Sequence, residues 1–325
     1  MLAISRYMDY RSDDAMLMPL PMIHNASTHA AWGPVLLVGG AFVIVPQPAP
    51  EVFVELLRKY KPTWVGAGVK QVLFKLKALA EQVPGAFERV RGVWTINAAR
   101  YSREILGLPG YHVFGMAEGI TMFTRESDPL EAREQTVGRP VSELDQVRIL
   151  KPGTEQDVLP GEIGELVAKG PYTIHGYYDA AERDLQAFTS DGYYRTGDLM
   201  STRTIDGKTY YVFEGRIKDV IDRGLEKVNC EELELALAEH HAVAEAAVVG
   251  MPDPGLGERI CAFVTLRAGG SPADATVPVL AGHLQRLGFA KFKWPERVEI
   301  LEAMPVTKIG KLDKGALRRM IADQL

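Results

Sequence analysis

The sequence predicts an α/β protein: a parallel sheet covered by helices, then a β-rich stretch, then a small α+β unit. Three observations carry this reading. Between Leu17 and Ile96, strand-length apolar runs alternate with helical patterns. From Val137 to Val212 the chain turns to short extended runs punctuated by Pro152-Gly153, Pro160-Gly161, Gly170-Pro171, Asp191-Gly192 and Asp206-Gly207, which is hairpin-like material. After Gly215 helical patterns return.

Taken in order, Leu17–Ile23 reads as a short strand ending in a turn, Ser27–Leu37 as helical and Ala41–Val45 as a strand. Phe53, Leu56, Leu57 and Tyr60 fall at i, i+3, i+4 and i+7, the spacing of an amphipathic helix. Thr63–Val65 reads as a strand, Val69–Ala80 as a helix and Val93–Ile96 as a strand. This β-α-β-α rhythm argues for a largely parallel sheet covered by helices. Further on, Asn229 can cap a helix with Glu231 and Glu232 in its first turn and Leu233, Ala236 and Leu237 on its apolar face. Extended segments at 243–250, 258–266 and 296–301 and a last helix from Asp313 complete the C-terminal unit. The boundaries read as 1–136, 137–215 and 216–325, with the last break near Arg216–Lys218.

Bulk properties narrow the function. The chain has 325 residues, 46% of them apolar and 24% charged, with a net charge of −5 and no dense Lys–Arg stripe, which argues against nucleic acid as a main partner. Cys230 and Cys261 stand far apart without histidines at metal spacing, so they read as reduced buried thiols of a cytoplasmic protein. Arg6, Asp9, Arg11, Asp13 and Asp14 exclude a secretory apolar core over residues 1–14. The longest apolar stretch, Ala31–Val45, is broken by Gly33-Pro34 and Gly39-Gly40 and is too short to span a membrane.

Two runs carry the first chemical signal: Tyr194-Arg195-Thr196-Gly197-Asp198-Leu199, and Gly215-Arg216-Ile217-Lys218-Asp219 followed by Arg223-Gly224-Leu225-Glu226-Lys227. Asp198 can accept from both hydroxyls of a ribose, and Arg216 can add a forked donor to sugar or phosphate oxygens. Either run alone also fits a β-turn with a surface salt bridge; the two in this order and spacing favour the nucleotide. His112-Val113-Phe114-Gly115-Met116-Ala117-Glu118-Gly119 puts a carboxylate on a glycine-bounded turn after a strand, where Glu118 can hold Mg²⁺ on nucleotide phosphates or stand as a solvated turn residue. Pro305–Lys314 sets lysines on a loop before a helix, placed to stabilise charge at a carboxylate–phosphate transition state. The pair His24-Asn25, by itself, reads as the polar close of a strand.

The ordered set Phe114–Gly119, Tyr194–Leu199, Gly215–Lys227 and Pro305–Lys314 resembles the adenylate-forming superfamily of acyl- and aryl-CoA synthetases, peptide-synthetase adenylation domains and luciferases. The likeness covers nearly the whole chain, as the remainder of a large adenylation domain followed by the small C-terminal one. Leu20–Asn25, Phe114–Gly119 and Gly170–Tyr178 are most similar to ligases that activate 2,3-dihydroxybenzoate or salicylate. The resemblance implies a carboxylic acid and ATP with Mg²⁺ as reactants, and CoA or a carrier-protein phosphopantetheine as the thiol acceptor. It implies Glu118 on Mg²⁺, Asp198 and Arg216 on the ribose or phosphate, and Lys311 bridging carboxylate and α-phosphate. Val113, Phe114, Gly115, Ala98 and Ala99 would border the nucleotide, and His24, Asn25, Ala30, Asn97, Met116 and Gly119 the acid. Lys218 falls at the hinge, and Gly224-Leu225 at the thiol channel.

Several positions depart from the family pattern. No Ser/Thr/Gly-rich phosphate loop followed by lysine occurs in these residues; Gly39-Gly40 and Gly66-Ala67-Gly68 lack the hydroxyl cluster. The expectation is a chain missing most of its first domain and adenylating poorly by itself. Leu225 replaces a glycine where the thiol would enter, and Asn97-Ala98-Ala99 replaces Gly-Gly-Ala beside adenine and acid. Ala30 stands where a dihydroxybenzoate ligase offers a hydroxyl, which points to salicylate, another monosubstituted aryl acid or a cyclic carboxylate. A fold kept only to bind a partner, and an adenylate-only enzyme, are the competing readings.

Overall fold

The computed structural model describes residues 1–46, 49–68, 70–224, 226–307 and 312–325. Lys311 and Leu225, and the predicted start of a helix at Val69, lie outside them. The described chain forms two compact units. One comprises 1–196 and 200–213; the other comprises 214–325 together with Gly197–Leu199.

The first unit opens with α1 (Leu2–Tyr7), β1 (Ala15–Leu17), a π-helix (Ala26–Trp32) and α2 (Gly33–Leu37). Then come β2 (Ala41–Val43), α3 (Pro50–Tyr60), β3 (Trp64–Gly68), α4 (Lys70–Ala80), β4 (Gly92–Thr95) and α5 (Ala99–Leu106). β5 (Gly110–Met116) and β6 (Gly119–Phe123) form a hairpin, followed by α6 (Leu130–Gln135) and β7 (Arg139–Pro140). These strands make one sheet in the order β2-β1-β3-β4-β5-β6-β7, parallel as far as β5 and antiparallel beyond it.

Both faces of that sheet are covered, so successive residues of its strands alternate between two cores. Met16, Trp64 and Trp94 pack with α1, the π-helix and α2, while Leu17, Val65 and Val93 pack with α3 and α4. In α3, Pro50 occupies the first turn, where its missing N–H is harmless. Phe53 and Leu57 are buried as the period requires, but Tyr60, expected on the same face, is exposed at the helix end.

The predicted strand Leu17–Ile23 stops at Leu17. β1 lies between β2 and β3, and Pro19 and Pro21 have no N–H for a central ladder. The helix expected from Ser27 is π-wound at first: Gly33 N–H bonds to the Thr28 carbonyl five residues back.

β8 (Gln146–Leu150), β9 (Gly164–Lys169), β10 (Tyr194–Ile205) and β11 (Lys208–Arg216) form a second sheet in the order β11-β10-β9-β8. One exposed helix, α7 (Ala181–Ala187), interrupts this otherwise β-rich stretch.

The second unit continues with β12 (Val220–Arg223), β13 (Glu226–Asn229), α8 (Cys230–Ala238), β14 (Val243–Asp253) and β15 (Gly257–Leu266). It ends with α9 (Val277–Arg286), β16 (Arg297–Ile300) and α10 (Lys314–Ala322). Alternation along β14 and β15 again feeds two cores. Val248, Ile260, Ala262 and Val264 meet α8 and α9; Ala247, Val249, Cys261 and Phe263 meet Leu317 and Ile321 of α10. Asn229 caps α8 as expected, accepting from Glu231 N–H at 2.9 Å. Both cysteines are free and buried.

Candidate active site

In the first unit, Ala117 and Glu118 form the two-residue turn of the β5–β6 hairpin, with Glu118 half-buried. Three contacts from the loop after β9 hold that turn. Ile174 N–H donates to the Glu118 carbonyl at 2.7 Å, and Tyr177 Oη donates to Glu118 Oε1 at 3.0 Å. Gly119, at φ +142°, lies so close to Thr173 that an added Cβ would sit 2.6 Å from its Cα.

Tyr177 is itself fixed on several sides. Its hydroxyl is 2.9 Å from that of Tyr194, its N–H donates to Asp184 at 2.9 Å, and the Arg183 guanidinium stacks 3.7 Å from its ring centroid. Burial, the bond to Tyr177 and the Glu118 charge raise the pKa of the Tyr194 phenol and keep it protonated. Tyr177 and Tyr194 fall inside the runs Gly170–Tyr178 and Tyr194–Leu199, neither of which points to Glu118 by sequence alone.

Along β5, Val113 and Phe114 point to opposite faces: Val113 packs on the Trp94 and Phe123 core, Phe114 on the Ile120 and Met122 core with Met116. The Phe114 ring lies 5.9 Å from that of Phe213, an aromatic partner the sequence reading did not single out. Gly115 is exposed.

Asn97 adopts a left-handed backbone, φ +50°, which asparagine tolerates better than most side chains. Ala98 and Ala99 are buried. Their turn is pinned by His112, another residue with no assigned role: Nε2 accepts from Ala99 N–H at 2.9 Å, and Nδ1 donates to the Thr136 carbonyl at 2.7 Å. Burial lowers the pKa of this imidazole and keeps it neutral, as that bonding pattern requires. A cavity of about 160 Å³ opens among Asn97, His112, Thr136, Val212 and Phe213.

His24 and Asn25 precede the π-helix; His24 Nδ1 accepts from Ala26 N–H at 3.1 Å. Ala30 is buried on that helix, against the core that contains Met18 and Trp94. A larger recess, about 440 Å³ and lined by Lys77, Val83, Phe87 and Leu106 among others, contains none of the candidate residues.

In the second unit, Asp198 and Arg216 meet. Arg216 Nε donates to Asp198 Oδ1 at 3.1 Å, with the Asp198 side chain 6% exposed and the Arg216 side chain 54% exposed. Burial raises the Asp198 pKa to about 6, against the opposing pull of Arg216. Gly215, at φ +117°, leaves room for the Asn229 side chain, which a Cβ would approach to 2.8 Å. Lys218 is exposed on a 3₁₀ turn, Ile217–Asp219. Gly224 (φ +67°) donates its N–H to the Leu256 carbonyl at 2.7 Å. Val306 bridges Leu312, and Asp313 caps α10 by accepting from Ala316 N–H at 2.9 Å. Among the described residues no three His, Cys, Asp or Glu side chains gather as a metal cage. A lone carboxylate such as Glu118 suits Mg²⁺ that keeps waters and nucleotide phosphates as its other ligands. No helix of the described residues is long and apolar enough to cross a membrane.

Comparison with known proteins identifies the family to which this fold belongs. The AMP-binding enzyme family matches residues 1–178, more than half of the chain, and the AMP-binding enzyme C-terminal domain matches 232–311. The chain belongs to that family, within the adenylate-forming superfamily. It is 41% identical over 324 residues to 2,3-dihydroxybenzoate-AMP ligase of Bacillus subtilis (strain 168), covering 95% of this chain and 57% of the relative. It is 39% identical over 314 residues to 2-hydroxy-7-methoxy-5-methyl-1-naphthoate–CoA ligase of Streptomyces carzinostaticus, covering 94% and 55%. The chain therefore spans a little over half the length of these curated relatives. The fold matches ATP-bound MatB from Rhodopseudomonas palustris with a TM-score of 0.84 at 24% identity, over 99% of this chain and 63% of that one.

Proposed function

We propose that this chain is part of an ATP-dependent ligase that activates an aryl acid, salicylate or a related ring carboxylate, as its adenylate. A carboxylate oxygen attacks the α-phosphorus of ATP, the bond to the bridging oxygen breaks, and pyrophosphate leaves. A thiol of CoA or of carrier-protein phosphopantetheine then attacks the acyl carbon, and AMP departs. The observation that carries the reading is the Asp198–Arg216 pair. A carboxylate buried to 6% exposure, whose pKa burial raises to about 6 even beside Arg216, is unfavourable for folding alone but suited to accepting two ribose hydroxyls.

Glu118 would hold Mg²⁺, which neutralises phosphate charge when bound. Tyr177 and Tyr194 hold its carboxylate in place. Phe114 and Phe213 offer aromatic faces for a purine, with Val113, Gly115, Ala98 and Ala99 at its border. His24, Asn25, Ala30, Asn97, Met116 and Gly119 would border the acid. Lys311 would bridge acid and α-phosphate, and residues 216–325 would pivot at Lys218 so that the thiol enters past Gly224 and Leu225.

Pyrophosphate exchange into ATP tests this. The chain by itself is expected to exchange weakly. Fused to the N-terminal part of the Bacillus subtilis relative, it should exchange with salicylate or benzoate and lose that activity on Asp198→Ala. Exchange that is absent with every ring carboxylate, or indifferent to Asp198→Ala, contradicts the proposal. The alternative, a non-catalytic binding module, would fit a pocket damaged by Asn97 in place of glycine. Its left-handed backbone shows a position asparagine fills without damage, and that weakens this alternative.

A further inference from the structure

Four charged side chains of the second unit form a network that the proposed chemistry does not use. Lys314 Nζ, on a side chain 15% exposed, lies 2.8 Å from Glu234 Oε1 and 3.9 Å from Asp219 Oδ2. Glu234 Oε1 also accepts from Val248 N–H at 2.6 Å. Arg318 Nη2 donates to Asp219 Oδ1 at 2.9 Å and to the Lys218 carbonyl at 3.0 Å. Two cations thus answer two carboxylates in a mostly buried setting, where losing one partner leaves an uncompensated charge. The network joins three places distant in sequence: the turn Ile217–Asp219, the middle of α8 and the first two turns of α10. Just before Lys314, Asp313 caps α10 and donates its N–H to the Pro305 carbonyl at 2.8 Å, closing the base of the segment that carries Lys311.

We propose that Lys314 is a positioning residue: with Asp219, Glu234 and Arg318 it locks the Lys218 turn to the base of the Lys311 segment, so that the two move as one rigid piece. This rests on the reading of Lys218 as pivot and Lys311 as the reacting-centre lysine. The physical claim concerns only the lock and can fail independently. A pivot whose own turn yielded during rotation would spread the final placement of a terminal ammonium, and transition-state stabilisation tolerates little misplacement. Lys314 prevents this by tying the pivot to the helix the segment leads into.

The chain's two cysteines provide an internal readout. Cys230, fully buried at the start of α8, lies within electrostatic reach of Lys314, Glu234, Asp219 and Arg318, while Cys261, equally buried in β15, packs with Leu317 and Ile321 of α10. Alkylation of each thiol by iodoacetamide, with tryptic nicking after Lys218, is to be followed by mass spectrometry in the full chain and in Lys314→Met, Asp219→Asn and Lys314→Arg. Opening of the lock should raise Cys230 labelling about tenfold and speed nicking after Lys218 in the first two variants, with tryptic nicking of the first unit unchanged. Lys314→Arg should restore protection, and the double variant Lys314→Met/Asp219→Asn should add little to either single one. Parallel acceleration of nicking in both units means general destabilisation and overturns the proposal, as does unchanged labelling of Cys230. If the lock is verified while the fused enzyme shows no exchange, only the functional reading fails.

Discussion

Arg216 reaches Asp198 with one nitrogen, Nε to Oδ1 at 3.1 Å, leaving a guanidinium half in solvent beside a carboxylate that is almost wholly out of it. The pairing does not repay the burial, since the Asp198 pKa stands at about 6 against an ordinary 3.8. A raised carboxylate pKa means that the folded state binds the proton more tightly than the unfolded one. Stability is therefore greatest below pH 3.8 for this group and falls as pH rises to about 6. Asp198→Asn should stabilise the protein at pH 7 by up to about 2–3 kcal/mol and flatten that part of the pH profile. Urea denaturation at pH 4 and pH 7 checks it; an Asn variant less stable at pH 7 would show that the charge is better solvated than its burial implies.

His112 titrates in the opposite sense. Burial depresses its pKa below the ordinary 6.5, so its contribution is intact above pH 6.5 and is lost as pH falls below it. His112→Ala strands Ala99 N–H and the Thr136 carbonyl, and should cost roughly 2–4 kcal/mol. In the Asp198→Asn background, the remaining acid loss between pH 6.5 and pH 5 should come from His112 and from His240, whose pKa is also lowered by burial. Melting curves across that range read it directly.

Tyr177→Phe removes a donor to Glu118 and the partner of Tyr194 at once. We expect a loss of about 1 kcal/mol. The Tyr194 phenol, no longer bonded to Tyr177, should ionise at lower pH. Phenolate absorbance during alkaline titration should show one tyrosine shifting downward relative to the parent chain; no shift would mean the two hydroxyls do not interact.

Gly119→Ala tests how tightly the Glu118 turn is clamped. The added methyl meets backbone, Thr173 Cα, at 2.6 Å, at a φ of +142° that side chains avoid. A loss of roughly 2 kcal/mol or more is expected in chemical denaturation. A near-neutral result would mean that the loop after β9 yields easily and does not fix the turn.

Local signals in the sequence were enough where one element decides its own shape. Phe53 and Leu57 announced the buried face of α3, Asn229 the cap of α8, and the Pro/Gly pairs the β-rich middle. The strand expected to reach Ile23 ended early because Pro19 and Pro21 forbid a central ladder, a sequence signal outweighed there by the apolar run. What stayed illegible depends on contacts between distant segments. His112 bonding Ala99 and Thr136, Phe213 meeting Phe114, and Tyr177 reaching back 59 residues to Glu118 leave no periodic trace in the chain. Of those, Tyr177 had a usable hint, since Gly176-Tyr177-Tyr178 lay inside a motif already quoted.

The most direct test of the central claim, that Asp198 grips a ribose, is a calorimetric titration with a non-hydrolysable salicyl-adenylate analogue and its 2′,3′-dideoxy counterpart. The chain should bind the hydroxylated analogue at least about tenfold more tightly than the dideoxy one, and Asp198→Asn should erase most of that difference. Equal affinity for the two analogues, or a difference that survives Asp198→Asn, would contradict the account.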